Sequence, residues 1–473
     1  MTTRFPVDRV RLGAVLTVAT LALLPVHNFA IDIGFALKPW IVTLAIATVL
    51  ALPNLLRSLW DAPVLVRWGA IAMVMWGVIT MATSEEPIVA FRHLLAIGLG
   101  IALIGLWLSR TSVATRSVGI AVRISAIVVA TFAIVESGVL ISTGRDVSGL
   151  AGIPGFLGPL GELIYGDIPV ANALHVDSNF AALYAVCWLF LIRMFPLSGS
   201  SWRRLDGMIQ GLLLIQLAVA FSRSATLALA IGVVVVVVSL MVGKWPKPRL
   251  MIATTLITMI LAGSVLVVAD STDEFGDLAY SAEKRLGQVG KEAGRIFTLI
   301  DSIIPRSDGS GSGDDDPSRP EPIVGGSVVW QDRSTIWAAY IDTFQARPIL
   351  GLGYGVQSQD IGYGHNLVLE AASGGGIISV AALALLWGGA IWAGVLRIRT
   401  SPAMPYILGG AATFLTVSFF ITTNYEPLGC LFIALLISPP ELPDDPDEPT
   451  PETQAVSDMH YEDGARNTEQ SSL

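Results

Sequence analysis

Apolar segments of about twenty residues recur along this chain, and their repetition limits the fold more than any other feature. The hydrocarbon core of a bilayer is crossed by a helix of about 20 apolar residues. Only 14% of the residues are charged, whereas a soluble domain carries about a quarter. The sequence therefore predicts an all-α fold, a polytopic transmembrane helix bundle.

The pattern predicts about twelve spans. They are Leu12–Phe29, Phe35–Leu52, Val64–Thr83, Ile88–Leu108, Ile120–Ser142, Ala173–Phe195, Met208–Phe221, Ser224–Met241, Leu250–Ala269, Leu367–Leu396, Tyr406–Thr422 and Pro427–Ile437. No small-residue cleavage site follows the first one, so we expect a retained helix rather than a signal peptide. The seventh and twelfth spans are short, which fits tilted half-helices or a re-entrant pair.

The distribution of basic residues predicts how the bundle is oriented. One set of loops carries sixteen lysines and arginines, whereas the opposite short loops carry only Lys38, Arg145 and Arg223. We therefore expect both termini in the cytoplasm. The long segment 270–364, between spans nine and ten, is expected on the outer side.

Four regions follow from this pattern. Residues 1–269 hold spans one to nine, 270–364 form the extracytoplasmic loop, 365–437 hold spans ten to twelve, and 438–473 form a tail. Within the loop, predicted amphipathic helices at Glu283–Ile304 and Ser334–Gln345 flank a Gly/Ser/Asp/Pro-rich insert, 307–322, that we expect to be disordered. The tail holds ten acidic residues and one arginine, which account for the net charge of −9. We expect it to be disordered, and its acidity argues against nucleic-acid binding.

His365 and Arg223 are the first candidate site residues. His365 stands before the tenth span, next to Asn366, and an imidazole can take or give a proton near neutral pH. The alternative is an interfacial histidine that only caps the helix. Arg223 lies between two apolar runs on the predicted outer side, where an arginine needs an anionic partner. Its alternative is snorkelling to lipid headgroups.

Two more arginines flank the second amphipathic helix. Arg333 precedes it and Arg347 follows it, and a guanidinium can hold two phosphate oxygens at once. The alternative for both is an ordinary solvated loop charge. Together with Arg223 and His365 they predict a site that binds a phosphate group and moves a proton.

Three glycines, Gly351, Gly353 and Gly355, follow Arg347. A nucleotide-binding loop is a poor interpretation, because no strand precedes them and no helix with Lys-Ser/Thr follows. We expect a tight turn and close backbone approach to a ligand.

Weaker candidates surround these groups. Asp177 and Asn179, at the outer start of the sixth span, fit either a helix N-cap or a polar wall for a sugar. Tyr354 lies among the three glycines. Glu370, five residues after His365, is a candidate to orient the imidazole, although the angle is not ideal.

Four motifs in order resemble the O-antigen ligase and polymerase superfamily of bacterial glycan-assembly proteins. They are Asp177-Ser178-Asn179, Ser222-Arg223-Ser224, Arg333-Ser334-Thr335-Ile336-Trp337, and Pro348-Ile349-Leu350-Gly351-Leu352-Gly353 leading to His365-Asn366. The resemblance covers roughly residues 172–389. One departure concerns the tenth span, where members often place a glutamate before the glycine and this chain has Gly374-Gly375.

The resemblance implies a reaction on the outer face of the bacterial cytoplasmic membrane. A glycan would leave a polyprenyl diphosphate donor, undecaprenyl diphosphate, and join the hydroxyl of a glycan, lipid or protein acceptor. The transfer would be inverting and need neither metal nor other cofactor. By resemblance, Arg223 and Arg333 would hold the diphosphate and His365 would be the base. The expected substrate-binding residues are Arg347, Asn366, Asp177, Asn179, Tyr354 and Glu370.

Other functions stay open beside this one. Ligase and polymerase activity both fit, as does a protein O-oligosaccharyltransferase. A transporter of a small anion or lipid-linked sugar would place ionisable residues near mid-membrane and often contain inverted repeats. The notable charges here instead collect toward the predicted outer face, and we find no repeat. A non-catalytic scaffold in a glycan-assembly complex is the remaining alternative.

Overall fold

The computed structural model describes residues 9–25, 31–32, 36–109, 115–143, 178–220, 222–243, 333–358, 364–421, 423 and 426–440. Twelve helices lie within these ranges. They are α1 (Arg9–Leu23), α2 (Pro39–Trp60), α3 (Val64–Ala82), α4 (Pro87–Leu108), α5 (Thr115–Thr143), α6 (Ser178–Met194), α7 (Ser200–Ala220), α8 (Arg223–Gly243), α9 (Arg333–Ala346), α10 (Leu367–Leu396), α11 (Met404–Val417) and α12 (Pro427–Ile437). Two-residue strands, β1 (Ile31–Asp32) and β2 (Ala36–Leu37), pair antiparallel before α2. The predicted helical bundle is confirmed, and the exact number of spans stays a prediction.

Six of the twelve described helices are long and apolar enough to cross a membrane. They are α2, α3, α4, residues 115–135 of α5, residues 224–243 of α8, and α10. Large apolar side chains such as Val49, Met75 and Trp392 are more than half exposed on these helices. Such surfaces fit a hydrocarbon environment, and together with the helix lengths they describe a multi-pass membrane protein.

Several predicted spans differ in their bounds from the observed helices, among them the second and the seventh. The second was expected at Phe35–Leu52, but β2 occupies Ala36–Leu37 and the helix begins at Pro39. A proline is well suited to the first turn of a helix, because its missing N–H has no partner there anyway. The same helix continues through Pro53 to Trp60, as membrane helices tolerate an internal proline. The seventh span, expected from Met208, begins at Ser200.

The seventh helix starts early because its polar first turns have a partner. Arg123 is 1% exposed, and its guanidinium donates to both carboxylate oxygens of Asp206 at 2.6 and 2.8 Å. It also donates to the carbonyl oxygens of Gly119 and Phe195. The bidentate pair joins α5 to α7 and satisfies a buried charge.

Several predictions fall outside the described residues. They are the ninth span at Leu250–Ala269, the amphipathic helix at Glu283–Ile304, the insert 307–322, Asp177 and the tail beyond residue 440. The other amphipathic helix, expected at Ser334–Gln345, is α9.

The pairs of helices that pack together show where the core lies. The closest pairs are α3 with α10, α8 with α11, α1 with α2, and α4 with both α2 and α12. Helix α9 packs on α10. We call the end of the bundle at which α10 begins the His365 end.

Candidate functional site

His365 occupies a sharp turn at the start of α10. Its φ is +49°, and among the described residues it is the one non-glycine with a positive φ. The left-handed conformation costs an L-residue roughly 1–2 kcal/mol. Asn366 caps the helix that follows: its side-chain oxygen accepts hydrogen bonds from the N–H groups of Val368 and Leu369 at 3.0 and 3.1 Å.

The alternative in which the histidine only caps the helix therefore does not describe this turn. Asn366 performs the capping and is 1% exposed. His365 is instead half-buried in a strained conformation, and such strain often accompanies function. The described contacts of Asn366 are structural, and its expected contact with substrate stays a prediction.

Helix α9 reaches this turn through Trp337. Its indole N–H donates to the carbonyl oxygen of Gly364 at 2.8 Å, directly before His365. Trp337 also packs with Tyr340 and Leu369 in a small apolar cluster. Arg333, the first residue of α9, precedes Trp337 by four residues, or about 6 Å along the axis. The backbone of Arg333 thus lies near the His365 turn.

The register of α8 against α11 locates Arg223, the first residue of α8. The hydroxyl of Thr413 donates to the carbonyl oxygen of Ala228 at 3.1 Å. A Cβ on Gly232 would approach the carbonyl oxygen of Gly409. Residue numbers rise along α8 as they fall along α11, so the helices are antiparallel.

The same register extends by five residues to the ends of the helices. It brings Arg223 opposite Ser418, directly after α11. The carbonyl oxygen of Ser418 accepts the N–H of Leu367 at 2.8 Å. Packed helix axes lie about 8–10 Å apart. The backbone of Arg223 is therefore about one helix spacing from the turn that holds His365.

Two predicted motifs meet beside Arg223. The hydroxyl of Ser222 donates to the side-chain oxygen of Asn179 at 3.0 Å and lies 3.1 Å from the hydroxyl of Ser224. These contacts join the start of α6 to the start of α8. Ser222 is 3% exposed, whereas Asn179 and Ser224 are half-buried.

Helix α10 is broken in its first half. Gly375 and Gly376 have non-helical angles, with φ of +65° at Gly376. The break releases backbone groups that must find other partners inside the bundle. Residues 347–356, which precede α10, supply most of these partners. We call this segment the glycine loop.

The glycine loop bonds both sides of the break. The N–H groups of Leu352 and Gly353 donate to the carbonyl oxygens of Ser373 and Gly374 at 2.9 and 2.8 Å. The carbonyl oxygen of Pro348 accepts the N–H of Ile377 at 2.8 Å.

A side chain from α3 supplies one more partner for the backbone groups at the break. The indole N–H of Trp76 donates to the carbonyl oxygen of Gly375 at 2.7 Å. Three released carbonyls and one released N–H thus have partners from outside α10.

The three loop glycines approach protein backbone and side chains. All have positive φ, as expected of a tight turn. A Cβ on Gly351 would lie 2.5 Å from the carbonyl carbon of Gly374, and one on Gly355 would overlap the His93 ring. These glycines therefore pack closely on the broken helix and α4, and close approach to a ligand stays a prediction.

Arg347 and Tyr354, at the two ends of this loop, have protein partners. Arg347 pairs with Glu85 at 2.6 Å, and both side chains are substantially exposed. Tyr354 is 3% exposed and its hydroxyl lies 2.6 Å from that of Ser379. Burial raises the pKa of Tyr354 to about 12, so its phenol stays protonated at neutral pH.

Glu370 is a buried carboxylate beside the His365 turn. It is 6% exposed, and a Cβ on Gly364 would lie 3.1 Å from its Cγ. Side chains of a helix lean toward its N-terminus. Glu370 is thus well placed to approach the His365 turn.

Residues 209–384 match the O-antigen ligase family. This stretch of the chain resembles an O-antigen ligase domain. The matched stretch is less than half of the chain, and it contains Arg223, Arg333 and His365 as well as the break in α10. The chain has no significant match among curated proteins. The family match supports a membrane enzyme that processes glycans.

The protein also carries polar groups that sequence reasoning missed. The hydroxyl of Tyr184 donates to a carboxylate oxygen of Glu426 at 3.0 Å. Glu426 and Thr423 line a cavity of about 40 Å³ that Leu367 also borders. Trp76 was missed as well, since an indole in an apolar span carries no signal of its hydrogen bond. Within the described part of the chain, no three His, Cys, Asp or Glu side chains assemble as a metal site would require.

Proposed function

We propose that this protein transfers a glycan from a polyprenyl diphosphate to an acceptor hydroxyl on the outer face of the bacterial cytoplasmic membrane. The observation that carries the proposal is the convergence of three helix starts. The backbones of Arg223 and Arg333, at the starts of α8 and α9, lie near the turn of His365. Ser418, opposite Arg223, accepts the N–H of Leu367, and Trp337, one turn after Arg333, donates to Gly364. The family match over 209–384 supports the same chemistry.

The proposed step is a single displacement. The acceptor oxygen attacks the anomeric carbon while its proton passes to the imidazole of His365, and the bond from that carbon to the diphosphate oxygen breaks. The polyprenyl diphosphate leaves with the bonding electrons, and the guanidinium groups of Arg223 and Arg333 stabilise its charge. Inversion follows from one displacement. Glu370 would orient the imidazole.

Helix orientation supports an anionic donor at this end. Helices α6, α8, α10 and α12 begin at the His365 end, as the contacts of Asn179, Ser222, Leu367 and Glu426 indicate. Each helix N-terminus favours a nearby negative charge by roughly 0.3–1 kcal/mol. A diphosphate approaching the starts of α8 and α10 would gain from both.

The broken helix α10 favours a second candidate, a transporter, because broken helices often bind ions or substrates. Such sites use backbone groups left open at the break. Here the carbonyls of Ser373, Gly374 and Gly375 and the N–H of Ile377 all have protein partners. The break therefore supports a structural role better than an ion site.

Separate alanine variants of Arg223, Arg333 and His365 test the proposal, with Arg399→Ala as control. Arg399 is exposed beyond the other end of α10. Purified protein is given lipid-diphosphate-linked glycan and candidate acceptors. Loss of a charge-assisted bond costs about 1.5–3 kcal/mol, so the arginine variants should lose about 10- to 100-fold in donor affinity. His365→Ala should lose roughly 10²–10⁴-fold in kcat while still binding donor.

Unchanged transfer in all three variants would contradict the proposal. A transporter would instead move its substrate across vesicles without forming a glycosidic bond. The control arginine variant should behave like the parent protein in both assays.

A further inference from the structure

We propose that Trp76 is a positioning residue for His365 and acts through the break in α10. The kinetic part of this inference rests on the proposed function, whereas its structural part can be measured without any activity. Trp76 lies on α3, a neighbour of α10. Its indole N–H donates to the carbonyl oxygen of Gly375.

The broken conformation of α10 competes with a conformation in which the helix is continuous. Gly375 and Gly376 leave the helical region of φ and ψ, and at this point the carbonyl oxygen of Gly375 accepts the indole N–H of Trp76. Of the four backbone groups at the break that bond outside α10, the carbonyl of Gly375 is the one held by a side chain. A substitution at Trp76 can therefore weaken the broken form while the glycine loop stays intact.

The break determines the position of His365. Residues 367–374 form a short helix directly after His365. Its start is held by the Asn366 cap and by the Ser418 carbonyl. Its end is held by the glycine loop and by Trp76. Straightening α10 would change the direction of this short helix and displace the imidazole from the starts of α8 and α9.

Substitution of Trp76 by phenylalanine removes the donor and keeps an aromatic ring. Trp107→Phe is the matched control, since its indole donates to the carbonyl oxygen of Ser438 at 2.8 Å, beyond the opposite end of α12. A displacement near 1 Å can cost about 100-fold in rate. We expect Trp76→Phe to lower kcat by about 10- to 100-fold with the donor KM unchanged, and Trp107→Phe to keep the parent kcat.

A rescue variant separates the hydrogen bond from packing. In Trp76→His, the Nε2 atom of the five-membered ring can occupy the position of the indole Nε1, so the N–H donor is retained. We expect this variant to recover most of kcat. An equal loss of kcat in the phenylalanine variants of Trp76 and Trp107, or no recovery with histidine, would overturn the positioning role.

Hydrogen exchange of the backbone amides gives a readout independent of transfer. Residues 367–376 should exchange faster in Trp76→Phe and at the parent rate in Trp107→Phe. Parent-like exchange in Trp76→Phe would overturn the inference. If His365→Ala retains full transfer, the proposed function fails, and faster exchange in Trp76→Phe would still support the structural part.

Discussion

Trp337 and Gly364 are joined by a 2.8 Å hydrogen bond from indole to backbone carbonyl, directly before His365. A Cβ on Gly364 would lie 2.8 Å from the Tyr340 ring. Helix α9 therefore covers the approach to α10 closely. This contact joins α9, which the sequence predicts outside the membrane, to the start of α10.

Replacing Trp337 by phenylalanine should destabilise this junction. The carbonyl oxygen of Gly364 would lose its donor in a buried place, which costs about 1–3 kcal/mol. We expect a lower unfolding temperature and slower transfer. Trp392→Phe is the control, because Trp392 is 61% exposed on α10. Equal unfolding temperatures for both variants and the parent would count against the junction.

Substitutions of Asn366 separate capping from substrate binding. Asn366→Ala removes the acceptor for two N–H groups and should cost about 0.5–2 kcal/mol of stability. Asn366→Asp keeps an acceptor oxygen, so stability and donor KM should stay near those of the parent. Thermal unfolding and transfer kinetics measure both. A stable Asn366→Asp variant that no longer binds donor would instead support the substrate role.

Two glycines of α10 make a matched pair. Gly376→Ala should destabilise the protein strongly. The φ of Gly376 is +65°, which costs an L-residue roughly 1–2 kcal/mol. The total loss of stability should be larger, because a Cβ there would also overlap the carbonyl of Ile349. Gly388 has no atom within 4 Å of an added Cβ. Gly388→Ala should therefore stabilise by roughly 0.5–1 kcal/mol. If Gly376→Ala unfolded at the same temperature as the parent protein, the described break would be refuted.

The Arg347–Glu85 pair tests whether Arg347 serves the substrate. Their side chains are 43% and 73% exposed, so we expect a coupling energy below about 1 kcal/mol in a double-mutant cycle. Arg347→Ala and Glu85→Ala should leave the donor KM unchanged. A loss of donor affinity in Arg347→Ala, equal to that of Arg223→Ala and absent in Glu85→Ala, would support the substrate-binding role predicted from the sequence.

Local signals explain which helices were predicted well. Helix α10 matches its predicted span, Leu367–Leu396, and α4 begins one residue before the predicted Ile88. Continuous apolar runs with flanking polar or proline residues mark such ends. The break at Gly375 and Gly376 was not predicted, because glycines also occur in unbroken membrane helices.

The sequence selected the residue types of the site, and their catalytic and substrate-binding roles stay predictions. Sequence reasoning selected both His365 and Asn366, but it did not distinguish the strained residue from the cap. Asn179 accepts a hydrogen bond from Ser222, and its predicted role in substrate binding stays a prediction. Partners distant in sequence decide such roles, and Trp76 and Gly375 are separated by 299 positions.

The sequence alone determined that this chain forms an apolar helix bundle and which polar residues interrupt it, because hydropathy and charge act over one helix length. The tertiary structure alone decided that the starts of α8, α9 and α10 meet and that the released carbonyls of α10 have partners. The reason is that a hydrogen bond between distant segments depends on how the helices pack, which no local pattern contains.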